Sequence, residues 1–313
     1  MAWAMYSSVL EYLKEDELKA LDDAIVLIEK RCGHHTFPPR SGVSGGKSVT
    51  SMRSTIEPLQ WIHKPLTFYL ITQGVFGYSL SRQLKGYNVY ESYNLRHYVC
   101  RSVYKKKITK NSHIACNNSD MSRVYASTGD RDTSTTSSVS EATPIVFYHG
   151  VGGLVCYSPF IKGLEALGIP VMAVEMPYVS LHIAPRVPSI QDHVASFEEL
   201  LDTYGYTHAI VIGHSWGSNV VSWLTQMAPH RIRGAVFLDP VVFMLHLRDI
   251  TFNWFYETRY KNSTPDGKDP LVSAASVVSL VKTEVFSNHA LQRPYVWFRN
   301  ILFPQEMESK PFP

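Results

Sequence analysis

The residues best placed to do chemistry lie in one stretch, His208-Ala209-Ile210-Val211-Ile212-Gly213-His214-Ser215-Trp216-Gly217. A short run rich in β-branched residues leads into Gly-x-Ser-x-Gly, and Val220, Val221, Trp223, Leu224 and Met227 then recur at helical spacing. The order is strand, sharp turn, helix. Gly213 and Gly217 lack Cβ atoms, so the turn can tighten until the Ser215 hydroxyl stands clear at the carboxyl end of the strand, with a helix N-terminus behind it. This spacing predicts a nucleophile elbow, and its chemistry is attack by a serine oxygen on an acyl carbon.

A second chemical motif lies upstream. Ile145-Val146-Phe147-Tyr148 is a continuous apolar run, which predicts a strand covered on both faces, and it enters His149-Gly150-Val151-Gly152-Gly153-Leu154. Glycines just after a central strand let backbone N–H groups turn toward a bound oxygen. The plainer reading is an ordinary Gly-rich turn from strand to helix; the elbow downstream favours an oxyanion loop.

The elements that must position these residues alternate β and α. Tyr157 to Leu167 reads as a helix stopped by Gly168, Ile169 to Val174 as a strand, Ser189 to Tyr204 as a capped helix, and Arg233 to Leu238 as a strand ending at Asp239-Pro240. Such alternation predicts a mostly parallel sheet flanked by helices, with the site at the carboxyl ends of its strands. Upstream, Asn94 to Lys107 alternates well enough to be the sheet's first strand. Ser7 or Ser8 can cap a helix running to Gly33, with Leu10, Leu13, Leu18, Leu21, Ile25 and Ile28 on one stripe, and that stripe is expected to pack on the main domain. Pro65 to Leu80 is apolar but falls short of the ~20 residues of a spanning helix. It predicts a buried or interfacial helix, with Lys64 and Arg82 able to snorkel if it contacts a membrane surface.

Three segments divide the chain: an N-terminal helical extension with the candidate first strand over 1–108, a Ser/Thr-rich linker or insertion over 109–143, and the α/β core over 144–313. The linker is too polar to offset its ordering entropy by burial. Ser41 to Ser48 ends like a phosphate loop, yet its first glycine position is Ser41 and no strand precedes it, so it reads as a loop.

Composition limits the classes. With 313 residues, 45% of them hydrophobic, the chain can fill one sizeable core. A net charge of +3 without a basic aromatic face argues against a nucleic-acid partner. Cys32, Cys100, Cys116 and Cys156 form no C-x-x-C pair and His34-His35 lacks a third ligand, so no metal, cofactor or disulfide framework is expected. Met1 to Leu10 has no secretory pattern, which predicts an intracellular protein, cytoplasmic or peripherally membrane-associated.

His149-Gly150-Val151-Gly152, Gly213-His214-Ser215-Trp216-Gly217 and Leu238-Asp239-Pro240 together resemble the α/β-hydrolase superfamily. More narrowly, Val174-Glu175-Met176-Pro177-Tyr178-Val179-Ser180 and Arg293-Pro294-Tyr295-Val296-Trp297-Phe298-Arg299-Asn300-Ile301-Leu302 look like a group of hydrolase-like proteins of fungi and algae. The similarity is weak over 60–105 and good over 144–310. It implies an α/β-hydrolase fold with a helical cap over 241–300, Ser215 as nucleophile, and the N–H groups of Val151 and Trp216 as the oxyanion hole. His149 and Gly150, with Trp254 and Trp297 of the aromatic cap, become candidate substrate-binding residues. The implied function is an esterase or lipase-type hydrolase acting on a small, apolar acyl ester.

The resemblance fails at the partners of Ser215. Asp239 is a candidate acid, with capping of the following turn as its plainer role. His246 and His289 are the only histidines after it, and neither matches the catalytic one. Related proteins continue into two more strands that usually carry the acid and histidine, so the chain is expected to be C-terminally truncated. Without those strands, Gly234 to Leu238 would form an apolar edge prone to aggregation. The alternative function is an inactive α/β-hydrolase-fold module used for binding or as a scaffold.

Overall fold

The computed structural model describes residues 5–6, 8–33, 53–103, 143–256 and 277–308. Its centre is one six-stranded sheet: β1 (Asn88–Ser92), β2 (Leu95–Val99), β3 (Ile145–Tyr148), β4 (Val171–Glu175), β5 (Ala209–His214) and β6 (Ile232–Leu238), in spatial order β1-β2-β4-β3-β5-β6. The last four strands run parallel to one another; β2 is antiparallel to both β1 and β4. Every residue of β3 and β4 is buried, as the continuous apolar runs require of strands covered on both faces.

Three helices follow the reading closely. They are α3 (Ser158–Ala166), α4 (Ile190–Tyr204) and α5 (Gly217–Met227). Ser189 caps α4 reciprocally: its Oγ accepts the Asp192 N–H at 3.1 Å, and the Asp192 carboxylate accepts the Ser189 N–H at 2.8 Å. Such a cap is worth about 1 kcal/mol and fixes where the helix begins. Phe197, Leu200, Leu201, Val220, Val221 and Leu224 of α4 and α5 enter the same core as β3, β4 and β5.

The N-terminal half departs from expectation in two places. The first strand is β1, not the 94–107 segment; β2 begins at Leu95 and ends at Val99, and residues 101–103 are helical. Tyr93 and Asn94, both at positive φ, make the two-residue turn between β1 and β2. The helix expected from Ser7 or Ser8 breaks in two, a 3-10 turn at Leu10–Tyr12 and α1 (Glu15–Arg31), where Lys14 N–H is capped by Glu17. On α1 only Leu21 is fully buried, with Ile25 and Ile28 half-buried beside it and Leu18, Val26 and Leu27 exposed. The apolar 65–80 segment is helical, as its pattern predicts: after Pro65 at the N-cap runs one continuous helix, α2, made of Leu66–Tyr69, a π segment Leu70–Val75, and Phe76–Gln83.

Among the described residues β6 is an edge strand, with Val236 39% exposed. Helices α6 (Val277–Thr283) and α7 (Val285–Gln292) follow, and the side chain of Glu284 caps α7 by accepting from Phe286 N and Ser287 N. The 41–48 loop, His34-His35, Cys116 and part of the cap-like segment (257–276) lie outside the described residues, as does the Ser/Thr-rich stretch except for its last residue. Among the described residues no helix is long and apolar enough to cross a membrane.

Candidate active site

β5 delivers Ser215 to a left-handed backbone, φ 49°, which costs a residue bearing a Cβ on the order of 1 kcal/mol. Three hydrogen bonds hold it there. The Ser215 N–H donates to the Leu238 carbonyl at 3.0 Å, and the Ser215 carbonyl accepts from Ser218 N–H at 3.0 Å and Ser218 Oγ at 2.5 Å. A Cβ at Gly217 would overlap the Tyr148 carbonyl, and one at Gly213 would overlap the Gly217 carbonyl. Only glycine lets α5 start this close to the ends of β3 and β5.

The second loop can be read by asking where its backbone N–H groups go. Gly150 donates to Tyr157 Oη at 3.1 Å, Gly152 to the Val179 carbonyl at 2.8 Å, and Leu154 to Glu175 Oε2 at 2.7 Å. Val151 N–H, between two committed donors, has no acceptor among the described residues; neither has Trp216 N–H, just after Ser215. The loops meet at Gly150, where a built Cβ would lie 3.0 Å from Ser215 Cβ.

Buried polar side chains fix this loop. Glu175, 3% exposed at the end of the otherwise apolar β4, is the Leu154 acceptor. His149 is fully buried; its Nε2 accepts the Met176 N–H at 2.8 Å, so its proton is assigned to Nδ1, which donates to the Gly150 carbonyl at 2.5 Å. The His149–Glu175 approach of 3.7 Å is therefore no ion pair. Tyr157, having accepted from Gly150, can give its own proton to His214 Nδ1 at 2.8 Å, and burial raises its pKa.

Beneath the elbow, Trp216 Nε1 donates to Tyr178 Oη at 3.3 Å, and Tyr178 Oη lies 3.0 Å from His193 Nε2. His193 Nδ1 faces the Ser189 carbonyl at 2.8 Å, and burial pushes its pKa down to about 4. Tyr295 packs tilted against Trp216, ring centroids 4.4 Å apart, and donates to Asn219 Oδ1.

Residues 143–289 match the family model described as the alpha/beta hydrolase fold. With a parallel β4-β3-β5-β6 set, helices between its strands and a Ser215 turn at the β5 end, the family match and the topology agree. These residues form an α/β-hydrolase core. Among solved structures, the chain is similar to carboxylesterase CesB (YbfK) from Bacillus subtilis, at 14% identity, TM-score 0.46, and 78% coverage of each chain. It is also similar to naproxen esterase (carboxylesterase NP) from Bacillus subtilis, at 12% identity and TM-score 0.41, over 76% of this chain and 77% of that one. A search of curated protein sequences found no match.

In this α/β-hydrolase core the remaining candidates scatter. Asp239 directly follows β6 beside Ser215, at φ 42°; its side chain is exposed and has no hydrogen-bond partner among the described residues. His246 and His289 are both exposed. No described group hydrogen-bonds to Ser215 Oγ. Trp297 is buried, donating to the Leu291 carbonyl at 3.0 Å, and Trp254 packs 6.3 Å from it. Tyr295 and Trp297 fill space beside α5, whereas the half-buried Trp254 lines a small crevice with Gln60 and Phe255.

Sequence reasoning did not single out Tyr157 or Glu175 as supports of the loop. Glu175 left a signal, a lone carboxylate ending an apolar strand that had to find donors once buried. Tyr157 left none, because its partners Gly150 and His214 belong to different motifs.

Proposed function

We propose that the protein is a serine hydrolase of small carboxylic esters with an apolar acyl chain, acting through Ser215. One observation carries this reading: a half-buried serine in strained backbone, with a Gly-rich loop against its turn and a spare N–H on each, at Val151 and Trp216. Ser215 Oγ would bond to the ester carbon while the carbonyl electrons move onto oxygen, which accepts from the two N–H groups; removal of one such donor typically costs 10²–10³ in rate. The carbon–oxygen bond to the alkoxide then breaks, the leaving group takes a proton, and water releases the acid. Gly150 lets the ester approach, and His149 holds the loop that receives it.

The proton of Ser215 must pass to a base, and no described residue is bonded to Oγ. That observation favours a second reading, a hydrolase fold used for binding. A fluorophosphonate probe separates the two. Labelling of the wild type but not of Ser215→Ala supports hydrolysis. Silence from a protein that still unfolds cooperatively on heating would give the site to binding instead.

A further inference from the structure

We propose that the outward face of α2 docks on an anionic lipid surface. The inward face is pinned: Tyr69 Oη donates to Glu284 Oε1 at 2.8 Å, Thr72 Oγ1 donates to the Leu181 carbonyl at 2.8 Å, and Leu80 is buried in the core. The helix therefore cannot roll to hide its other side. That side presents Leu66, Leu70, Ile71, Val75 and Tyr78, all at least half exposed, and Trp61 and Ile62 extend it at the N-terminal end. The π segment Leu70–Val75 makes this alignment, since its extra residue per turn keeps Leu70 and Val75 on one line. Large contiguous apolar patches are uncommon on soluble monomers and mark interaction surfaces.

Charge selects the occupant. Between Glu57 and Glu91 the sequence has no acidic residue, while Lys64, Arg82 and Lys85 lie at the two ends of the helix. The Arg82 guanidinium stands over the Tyr78 ring at 6.0 Å, a cation and an aromatic paired as at a headgroup boundary. A second copy would bring these cations against their own kind. The longer segments outside the described residues, 34–52, 104–142 and 257–276, are mostly polar or charged and contain many Ser and Thr, so they offer little apolar surface to cover the face. An anionic bilayer supplies both an apolar interior and negative charge. The inner side of α2 also borders the hydrolase loop: Thr72, Phe76 and Gly77 line a crevice of about 20 Å³ with Gly152, Gly153 and Leu154.

The test is flotation of the full chain with vesicles of phosphatidylcholine alone or with added phosphatidylserine. The wild type and Ser215→Ala should both float with the phosphatidylserine vesicles, so the outcome does not depend on hydrolysis. The double variant Leu70→Glu/Val75→Glu, checked for a cooperative thermal transition, should lose binding by tenfold or more, and salt should weaken the wild type. Absence of flotation, equal binding to phosphatidylcholine alone, or binding indifferent to the double variant would each overturn the proposal. So would a wild-type dimer that the double variant turns into a monomer, which would assign the face to a second copy.

Discussion

Gly150 lies against Ser215 so closely that a Cβ at position 150 would stand 3.0 Å from the serine Cβ, 2.9 Å from His214 Nδ1 and 2.7 Å from Tyr157 Oη. Gly150→Ala must therefore push the loop off the elbow or displace the Tyr157 hydroxyl. The expected result is a loss of ~1–3 kcal/mol in stability from overpacking, with Ser215 labelling by a fluorophosphonate slowed at least tenfold relative to wild type. Unchanged stability in urea would show that the two loops do not touch as described.

Gly217 and Gly163 make a matched pair for the same substitution. At Gly217 an added Cβ meets the Tyr148 backbone, which has no flexible end to yield, and Gly217→Ala should cost about 3 kcal/mol or more. Gly163 is exposed within α3 with nothing within 4 Å of a built Cβ, so Gly163→Ala should stabilise by ~0.5–1 kcal/mol through helix propensity. Denaturant midpoints decide both, and a shift of equal sign at the two positions would refute the packing of the elbow.

The uncommitted Ser215 Oγ gives a kinetic expectation. On the proposed hydrolase reading, a hydroxyl with two spare N–H groups nearby but no base bonded to it among the described residues should respond to an external one, so millimolar imidazole should accelerate cleavage of a p-nitrophenyl ester by wild type. Ser215→Ala should show only the rate of imidazole in free solution. Equal acceleration of both proteins would mean that Ser215 takes no part.

Two buried histidines make stability depend on pH. Burial lowers His97 and His193 from near 6.5 to about 4. Between those values the unfolded chain binds more protons than the folded one, so stability rises with pH there: it is fully present above about 6.5 and is lost as pH falls toward 4. Each group contributes on the order of 3 kcal/mol. The unfolding temperature should drop steeply from pH 7 to 4.5, and less steeply in His193→Gln, whose amide can still face Ser189 and Tyr178. A slope identical in the variant would remove His193 from this account.

The part of the molecule legible in the sequence is the part whose periodicity and turn chemistry agree. Ser189, the β5 run and the glycines around Ser215 each specify one local answer, and the structure has a capped helix, a strand and a tight turn there. β1 was hidden because Asn-Val-Tyr-Glu-Ser is half polar and exposed on alternate residues, and Tyr93-Asn94 is a weak turn signal beside Asn-Gly. The aromatic residues of 241–300 suggested a substrate wall, but pattern cannot tell a ring that lines a cavity from one that fills it. Tyr295 and Trp297 fill space against Trp216 and Phe255. Nor can spacing show which N–H groups of a Gly-rich loop are already taken; that required Tyr157, Val179 and Glu175 in place.

The antiparallel seam between β2 and β4 has a consequence for the order of assembly. β3, β4, β5 and β6 join through successive helices along residues 145–238, whereas Arg96 to Val99 must find Met172 to Glu175 from far away in the chain. Distant pairings form late, because the chain is ordered before those contacts compensate. The β1–β2 hairpin and α2 should then behave as one cooperative unit that opens below the free energy of global unfolding. In native-state hydrogen exchange, the amides of β1 and β2 should exchange ahead of those in β3 and β5, and the unit carrying the apolar helix face would be the one most readily released from the rest.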